Sequence, residues 1–295
     1  MVKYAILFSG YIGNINRSLN SVKKNICYDS NDSTDLFIMT RNFNTNIIKC
    51  INKNTGFIDY KNGQVYTAEQ IQSMTNFPIK SITEYELDPI GNDYQEKEDK
   101  FVERTKNYIS HTNLVINYDK VRKRVSKSTL KAIFEQYYLV SKCLTKIIDY
   151  ENKNNFKYDY IIRVRDRQTI QIKIEKEKYI DKGLSLLGYG SNPLYVMESF
   201  FIGERDSVIN GFIDLPDYIG SYRIPRSKFK LGEGDTTLSA ESQVALHLFN
   251  IFGENINFLQ MGHYVEKLDQ SDGFGPPVID DDDYIETDLQ IKILQ

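Results

Sequence analysis

The chain has 295 residues, 41% hydrophobic and 26% charged, and a formal net charge of −3. Such a balance belongs to a globular protein with a substantial core and argues against a general nucleic-acid binder, which carries a basic face. No apolar run approaches the ~20 residues of a membrane-spanning helix, so no membrane span is expected.

Lys3 to Phe8 is an apolar run that meets Ser9-Gly10 at once, so it reads as a first strand and not as a signal peptide. After the turn from Ser9 to Gly13, Asn16 to Asn25 has helical spacing, with Leu19, Val22 and Ile26 on one side. Asp35 to Thr40 is a second strand, and the strand-helix-strand order predicts parallel pairing. From about 42 to 127 the pattern is irregular and reads as a variable insertion. Within it, Ile58-Asp59-Tyr60 and Val65-Tyr66 flank Asn62-Gly63 and suggest a hairpin. Thr67 to Gln70 resembles a helix start, and Ile79 to Leu87 a strand. Ser128 to Asn152 is the clearest helix, with a wide apolar face and a stop at Asn154-Asn155. Strands follow at Tyr158 to Arg165, Leu184 to Gly188, Glu198 to Gly203 and Ile256 to Leu259. Helices are expected from Ser207 and from Ser239, a serine suited to an N-cap. From about Ser271 an acidic tail carries Asp280 to Asp283.

Alternating helices and strands predict an α/β fold: a mixed, mostly parallel sheet with helices on both faces. Without a linker between two halves, residues 1–295 read as one domain. Cys27, Cys50 and Cys143 give neither a disulfide framework nor a zinc signature, which favours a reducing compartment and a cytoplasmic location.

The run from Tyr158 to Arg167 carries the most chemical information. Ile161, Ile162 and Val164 suit a buried strand, and Arg163, Arg165, Asp166 and Arg167 concentrate charge at its carboxyl end. Ligands of open α/β sheets bind at that end. Guanidinium forks pair with phosphate bidentately, and Asp166 could hold a cation or a sugar hydroxyl. A structural ion pair, with Asp159 as one partner, is the alternative for either Arg163 or Arg165.

Four blocks in order resemble nucleotide-sugar glycosyltransferases that build surface polysaccharides. They are Ser9-Gly10 with Arg17 and the strand Asp35-Leu36-Phe37-Ile38; Tyr150-Glu151 with Tyr158-Asp159-Tyr160-Ile161-Ile162-Arg163-Val164-Arg165; Phe200 to Asp206; and Ser239-Ala240-Glu241. The resemblance covers most of the chain outside 42–127. It implies a GT-A-like (Rossmann-like) fold, a nucleotide-diphosphate sugar as donor, a glycan acceptor and a divalent cation, Mn²⁺ or Mg²⁺. Two departures stand out. The family runs Arg-x-Arg-Pro-Asp, whereas here Asp166 comes one place early and Arg167 takes the aspartate's slot. A one-residue change along a strand reverses the side-chain face. Arg17 also lies farther from Gly10 than the family places it.

Ser9, Gly10, Arg17, Arg163 and Arg165 are the candidates for the nucleotide side, since Gly10 lets the backbone approach and helix N-terminal amides favour anions. Ser9-Gly10 reads equally as a plain strand-to-helix turn. Asp166 and His263 are the metal candidates. Glu241 or Asp235 could act as general base toward an acceptor hydroxyl, although a glutamate in a first helical turn is also favoured by the helix dipole alone. The expected activity is sugar transfer. The rival expectations are a catalytically inactive GT-A-like binding protein and a nucleotidyltransferase, for which the Gly- and Lys-containing phosphate loop is missing.

Overall fold

The structure, a computed structural model, describes residues 1–10, 15–40, 49–52, 56–59, 68–75, 77–84, 93–111, 116–117, 127–165, 168–175, 183–188, 196–222, 224–225, 235–236, 240–253, 255–260, 265–267 and 290–291. Seven strands form one sheet: β1 (Lys3–Gly10), β2 (Ser33–Thr40), β3 (Ile79–Glu84), β4 (Tyr160–Val164), β5 (Leu184–Gly188), β6 (Val196–Glu204) and β7 (Ile256–Gln260). Their order across the sheet is β7-β5-β6-β4-β1-β2-β3. Every pairing is parallel except those of β6, which runs against β4 and β5.

The continuous apolar runs of the central strands follow from burial on both faces, as parallel sheets require. Along β1, Ala5 and Leu7 enter one core and Tyr4, Ile6 and Phe8 the other. Behind the first face lie α4 (Lys127–Asn154), α5 (Arg205–Phe212), α6 (Leu215–Tyr218) and α7 (Ala240–Phe252), with α3 (Tyr94–His111) against α4. The second face is covered by α1 (Ile15–Asn25) and α2 (Ala68–Thr75). Ile15, Leu19 and Val22 bury one stripe of α1 together with Ser18 and Asn25, while Asn16, Arg17, Asn20, Lys23 and Lys24 face outward. The mixed, mostly parallel α/β sheet expected from the alternation is therefore present, and β1 and β2 pair in parallel as expected.

The end of α4 shows how local sequence sets the chain's direction. Asn155 adopts φ 53°, the left-handed region that asparagine tolerates. Its N–H bonds the Asn152 carbonyl at 3.4 Å, and the Phe156 N–H bonds the Glu151 carbonyl at 3.2 Å. This is a Schellman closure with Asn155 at C′, and it turns the chain into β4. Asn155→Val should cost roughly 1–2 kcal/mol, because a branched side chain is strained there. Asn155→Gly should keep or raise stability. Urea midpoints at unchanged slope would show the two responses.

Some expectations change. The strand Gly56–Asp59 pairs with Lys49–Asn52 upstream. Residues 60–67, with that turn, lie outside the described residues. The densely charged stretch after Asn92 is the helix α3, whose Phe101 is buried. A short strand, Gln168–Ile170, was not foreseen; it lies along α1 and pairs with Val265–Lys267.

Candidate functional site

The chain passes from β1 outward to β2 and β3, then returns to place β4 on the other side of β1. The strand order reverses between β1 and β4, and the crevice beyond their carboxyl ends is where open α/β sheets take ligands. Phe8 pairs with Val164, so Ser9, Gly10 and Arg165 extend to that rim. Ser9 is buried, and Gly10 closes β1 opposite Thr40. Five residues after Gly10, α1 begins at Ile15, so its first turn and unsatisfied amides sit at the same edge. Arg17 lies in that turn on the exposed side of the helix.

Arg163 and Arg165 both turn toward α4, as their i, i+2 spacing predicts. Their situations differ. Arg165 is half-buried, and its Nη1 donates to Gln136 Oε1 of α4 at 3.1 Å. Arg163 is 0% exposed, with its guanidinium 6.0 Å from the centre of the Phe201 ring. Burial pushes the neighbouring Cys143 thiol up to about 12, while the Arg163 charge acts the other way. Arg163 therefore lies beneath the rim, within the β4 pairing. What it can supply is positive potential from a low-dielectric interior. Its suggested partner Asp159 is elsewhere, accepting the Lys3 N–H at 2.8 Å at the opposite end of the strand.

Glu241 is the second residue of α7, which reaches β7 through only a few residues. The amino end of α7, with Glu241, therefore shares the carboxyl edge of the sheet. Asp235 lies in a short strand, Asp235–Thr236, paired with Ile224–Pro225. The described features of Glu241 and Asp235 are those of the backbone. Below Glu241, α7 is anchored firmly. Gln243 Oε1 accepts the Gly220 and Tyr222 N–H groups, each at 3.1 Å, and its Nε2 donates to the Tyr222 carbonyl at 2.9 Å. His247 Nδ1 is 2.5 Å from Tyr222 Oη, and its ring stacks on Tyr218 at 5.5 Å. These contacts fix the segment from which the chain departs toward Asp235.

Asp166 and His263 lie outside the described residues. Among the described residues no group of three or more His, Cys, Asp and Glu side chains could hold a metal ion. Two clefts among the described residues also lie away from the rim. One, of about 590 Å³, runs between α2 and β3 and includes Gln72 and Lys80. The other, of about 450 Å³, is lined by Lys23, Lys24, Cys27 and Tyr28 beyond the carboxyl end of α1.

The opposite, amino edge of the sheet holds an extended ionic network. Glu151 is 1% exposed. It accepts the Tyr158 N–H at 2.9 Å and Arg205 Nη2 at 2.6 Å, with Arg205 Nε 3.2 Å from both of its oxygens. Tyr158 Oη donates to Asp35 Oδ2 at 2.6 Å, and Lys80 Nζ is 3.3 Å from Asp35 Oδ1. Burial, then the Asp35 carboxylate, raises the Tyr158 pKa far above an ordinary tyrosine's. Perturbed groups often mark active sites, but structural ion networks perturb pKa values too. This network ties α4, β2, β3, β4 and α5 together at the edge away from the crevice, so we read it as framework.

Two residues at the rim escaped the sequence reading. Gln136 sits among the apolar positions of α4, and polarity alone did not single it out. The Gln168 N–H bonds the Arg165 carbonyl at 3.2 Å, a contact that no glycine or proline announces. Among known proteins, no family model matches the chain and no curated protein matches it.

Proposed function

We propose that the chain is a glycosyltransferase that moves a sugar from a nucleotide-diphosphate sugar to a glycan or glycoconjugate acceptor. The observation that carries this reading is the convergence at one topological switch point of Ser9-Gly10, the first turn of α1 and the charged end of β4. A largely parallel sheet with a single reversed strand and helices on both faces supports the GT-A-like scaffold that the sequence resemblance implies.

In this reading the close backbone at Gly10 and the amides of α1 receive the diphosphate. Arg165, held by Gln136, pairs with it and stabilises the charge that grows as the nucleoside diphosphate leaves. Arg163 reinforces that potential from beneath. Glu241 or Asp235 takes the proton of the acceptor hydroxyl as the new glycosidic bond forms. A divalent cation, if used, would draw on Asp166 and His263 and supply further charge neutralisation. A second reading, a GT-A-like binding protein without transferase activity, keeps the same nucleotide site and is favoured by the displaced Asp166.

A thermal-shift panel of UDP, GDP, CDP and dTDP, each with and without Mn²⁺, tests the site. A ligand at 100 times its Kd stabilises a fold by about 2.7 kcal/mol, so one diphosphate should raise the midpoint clearly. Arg165→Ala should weaken diphosphate binding about tenfold to a hundredfold and leave the corresponding nucleoside unaffected. Silence across the panel would end the nucleotide-sugar reading. Binding without donor hydrolysis or transfer would favour the binding protein.

A further inference from the structure

Gln168 is 3% exposed, and among the described residues its Oε1 has no hydrogen-bond partner. Buried acceptors in this condition are rare and costly, and each calls for a physical reason. The rest of the side chain is firmly held. Its Nε2 donates to Ser199 Oγ, itself buried, on β6. Phe200 pairs with Val164, so Ser199 sits opposite the end of β4 at the sheet's carboxyl edge. The backbone N–H of Gln168 is tied to the Arg165 carbonyl. The main chain is therefore held at Arg165 and the side-chain amide at Ser199, and the carbonyl oxygen is the end left over.

The position along the fold also points to the crevice. Two residues farther on, the Ile170 N–H bonds Ser21 Oγ at 2.9 Å and the Ile170 carbonyl accepts Asn25 Nδ2 at 2.6 Å. The Ile174 N–H then bonds the Asn25 carbonyl at 2.9 Å, so this segment runs in the same direction as α1. Stepping back two strand residues, roughly 7 Å, covers a little over one helical turn. Gln168 is thus level with the first turn of α1, where unsatisfied amides face the switch point.

We propose that Gln168 Oε1 accepts a hydrogen bond from a hydroxyl of the bound nucleotide sugar, with Ser199 as the residue that positions the amide. The inference rests on the nucleotide-sugar reading above. It adds a polar contact that selects for a hydroxyl donor beside the anion-binding groups. A site built to bond a hydroxyl rejects ligands that lack one, because its own buried group is then left unpaired.

The test is calorimetric binding of UDP, UDP-glucose, GDP and GDP-mannose to wild type, Gln168→Met, Gln168→Glu and Ser199→Ala. Gln168→Met should keep a thermal midpoint near wild type, since the lost bond to Ser199 is offset by removal of the unpaired acceptor. Its affinity for the recognised nucleotide sugar should fall about tenfold to a hundredfold. Gln168→Glu, which keeps an acceptor, should lose less, and Ser199→Ala should give a smaller loss of the same kind. If Gln168→Met does not fold, Ser199→Ala carries the test. A loss confined to the sugar-bearing ligand assigns the contact to the transferred sugar. An equal loss on the diphosphate assigns it to the ribose. Folded variants that bind like wild type overturn the role of Gln168 and leave the nucleotide site standing. A wild-type protein that binds none of the four defeats the nucleotide-sugar reading and this inference with it.

Discussion

Glu151→Ala should cost about 3–5 kcal/mol of folding stability, the range for removing one partner of a buried ion pair. The carboxylate is 1% exposed and collects three donors, two from Arg205 and one from the Tyr158 backbone. Without it, Arg205 keeps among the described residues the Asp206 carboxylate, whose side chain is 70% exposed and therefore well screened. The Tyr158 N–H would be stranded at the start of β4. A fall in Tm of roughly 10 °C is the expected reading. Replacing both partners with apolar residues, Glu151→Leu with Arg205→Met, should recover part of the loss, because no uncompensated charge then remains buried. A single variant within 1 kcal/mol of wild type in urea would show that the network is not structural.

This expectation bears on what the sequence resemblance carries. Asp35, Tyr150, Glu151, Tyr158, Asp159, Arg205 and Asp206 all belong to blocks that drew attention in the sequence. In the fold these blocks meet at the amino edge: Tyr158 bonds Asp35, Glu151 clamps Arg205, and Asp159 takes the Lys3 N–H. Tyr150 joins through the Lys80 ammonium, 5.8 Å from its ring centre. Because β6 runs backward, its carboxyl end brings Arg205 to that amino edge. Much of the recognisable pattern is thus a framework signature. Ser9, Gly10, Arg163 and Arg165 are the quoted residues that reach, or lie just beneath, the β1–β4 crevice.

The core elements were legible because their patterns are long. β1 reads as an apolar run, β4 as an apolar run interrupted by Arg163, and α4 repeats its apolar face along a helix of 28 residues. Asn155 also announced the helix end through its tolerance of positive φ. Local pattern could not separate the two arginines. Spacing put them on one face, but depth decided their roles: Arg163 lies within the β4 pairing beneath α4, and Arg165 just past its end. Gln168 was invisible for a related reason. Its significance lies in one bond to a residue 31 positions away and one oxygen left unmatched, neither of which has a local signature.

Acidification from pH 6.5 to pH 4 should remove about 3 kcal/mol of stability through His247 alone. The imidazole is 3% exposed, and burial lowers its pKa from the usual 6.5 to about 4, with the Gly211 carbonyl and Asp214 opposing the shift. The ring has Nδ1 at 2.5 Å from the Tyr222 hydroxyl and stacks on Tyr218. Between these two pH values the unfolded chain binds a proton that the folded chain refuses, so stability rises with pH across the window. The contribution is fully present above pH 6.5 and lost as pH falls toward 4. His247→Gln should flatten this component. Carboxylates elsewhere titrate in both proteins and cancel in the comparison, so the measurement is the difference between wild-type and variant urea stabilities at pH 7 and pH 4. Hydrogen exchange at Tyr218 to Tyr222 should accelerate first, since His247 and Gln243 pin that segment to α7. Parallel pH curves for the two proteins would mean that His247 accepts a proton in the folded state without disturbing its contact to Tyr222.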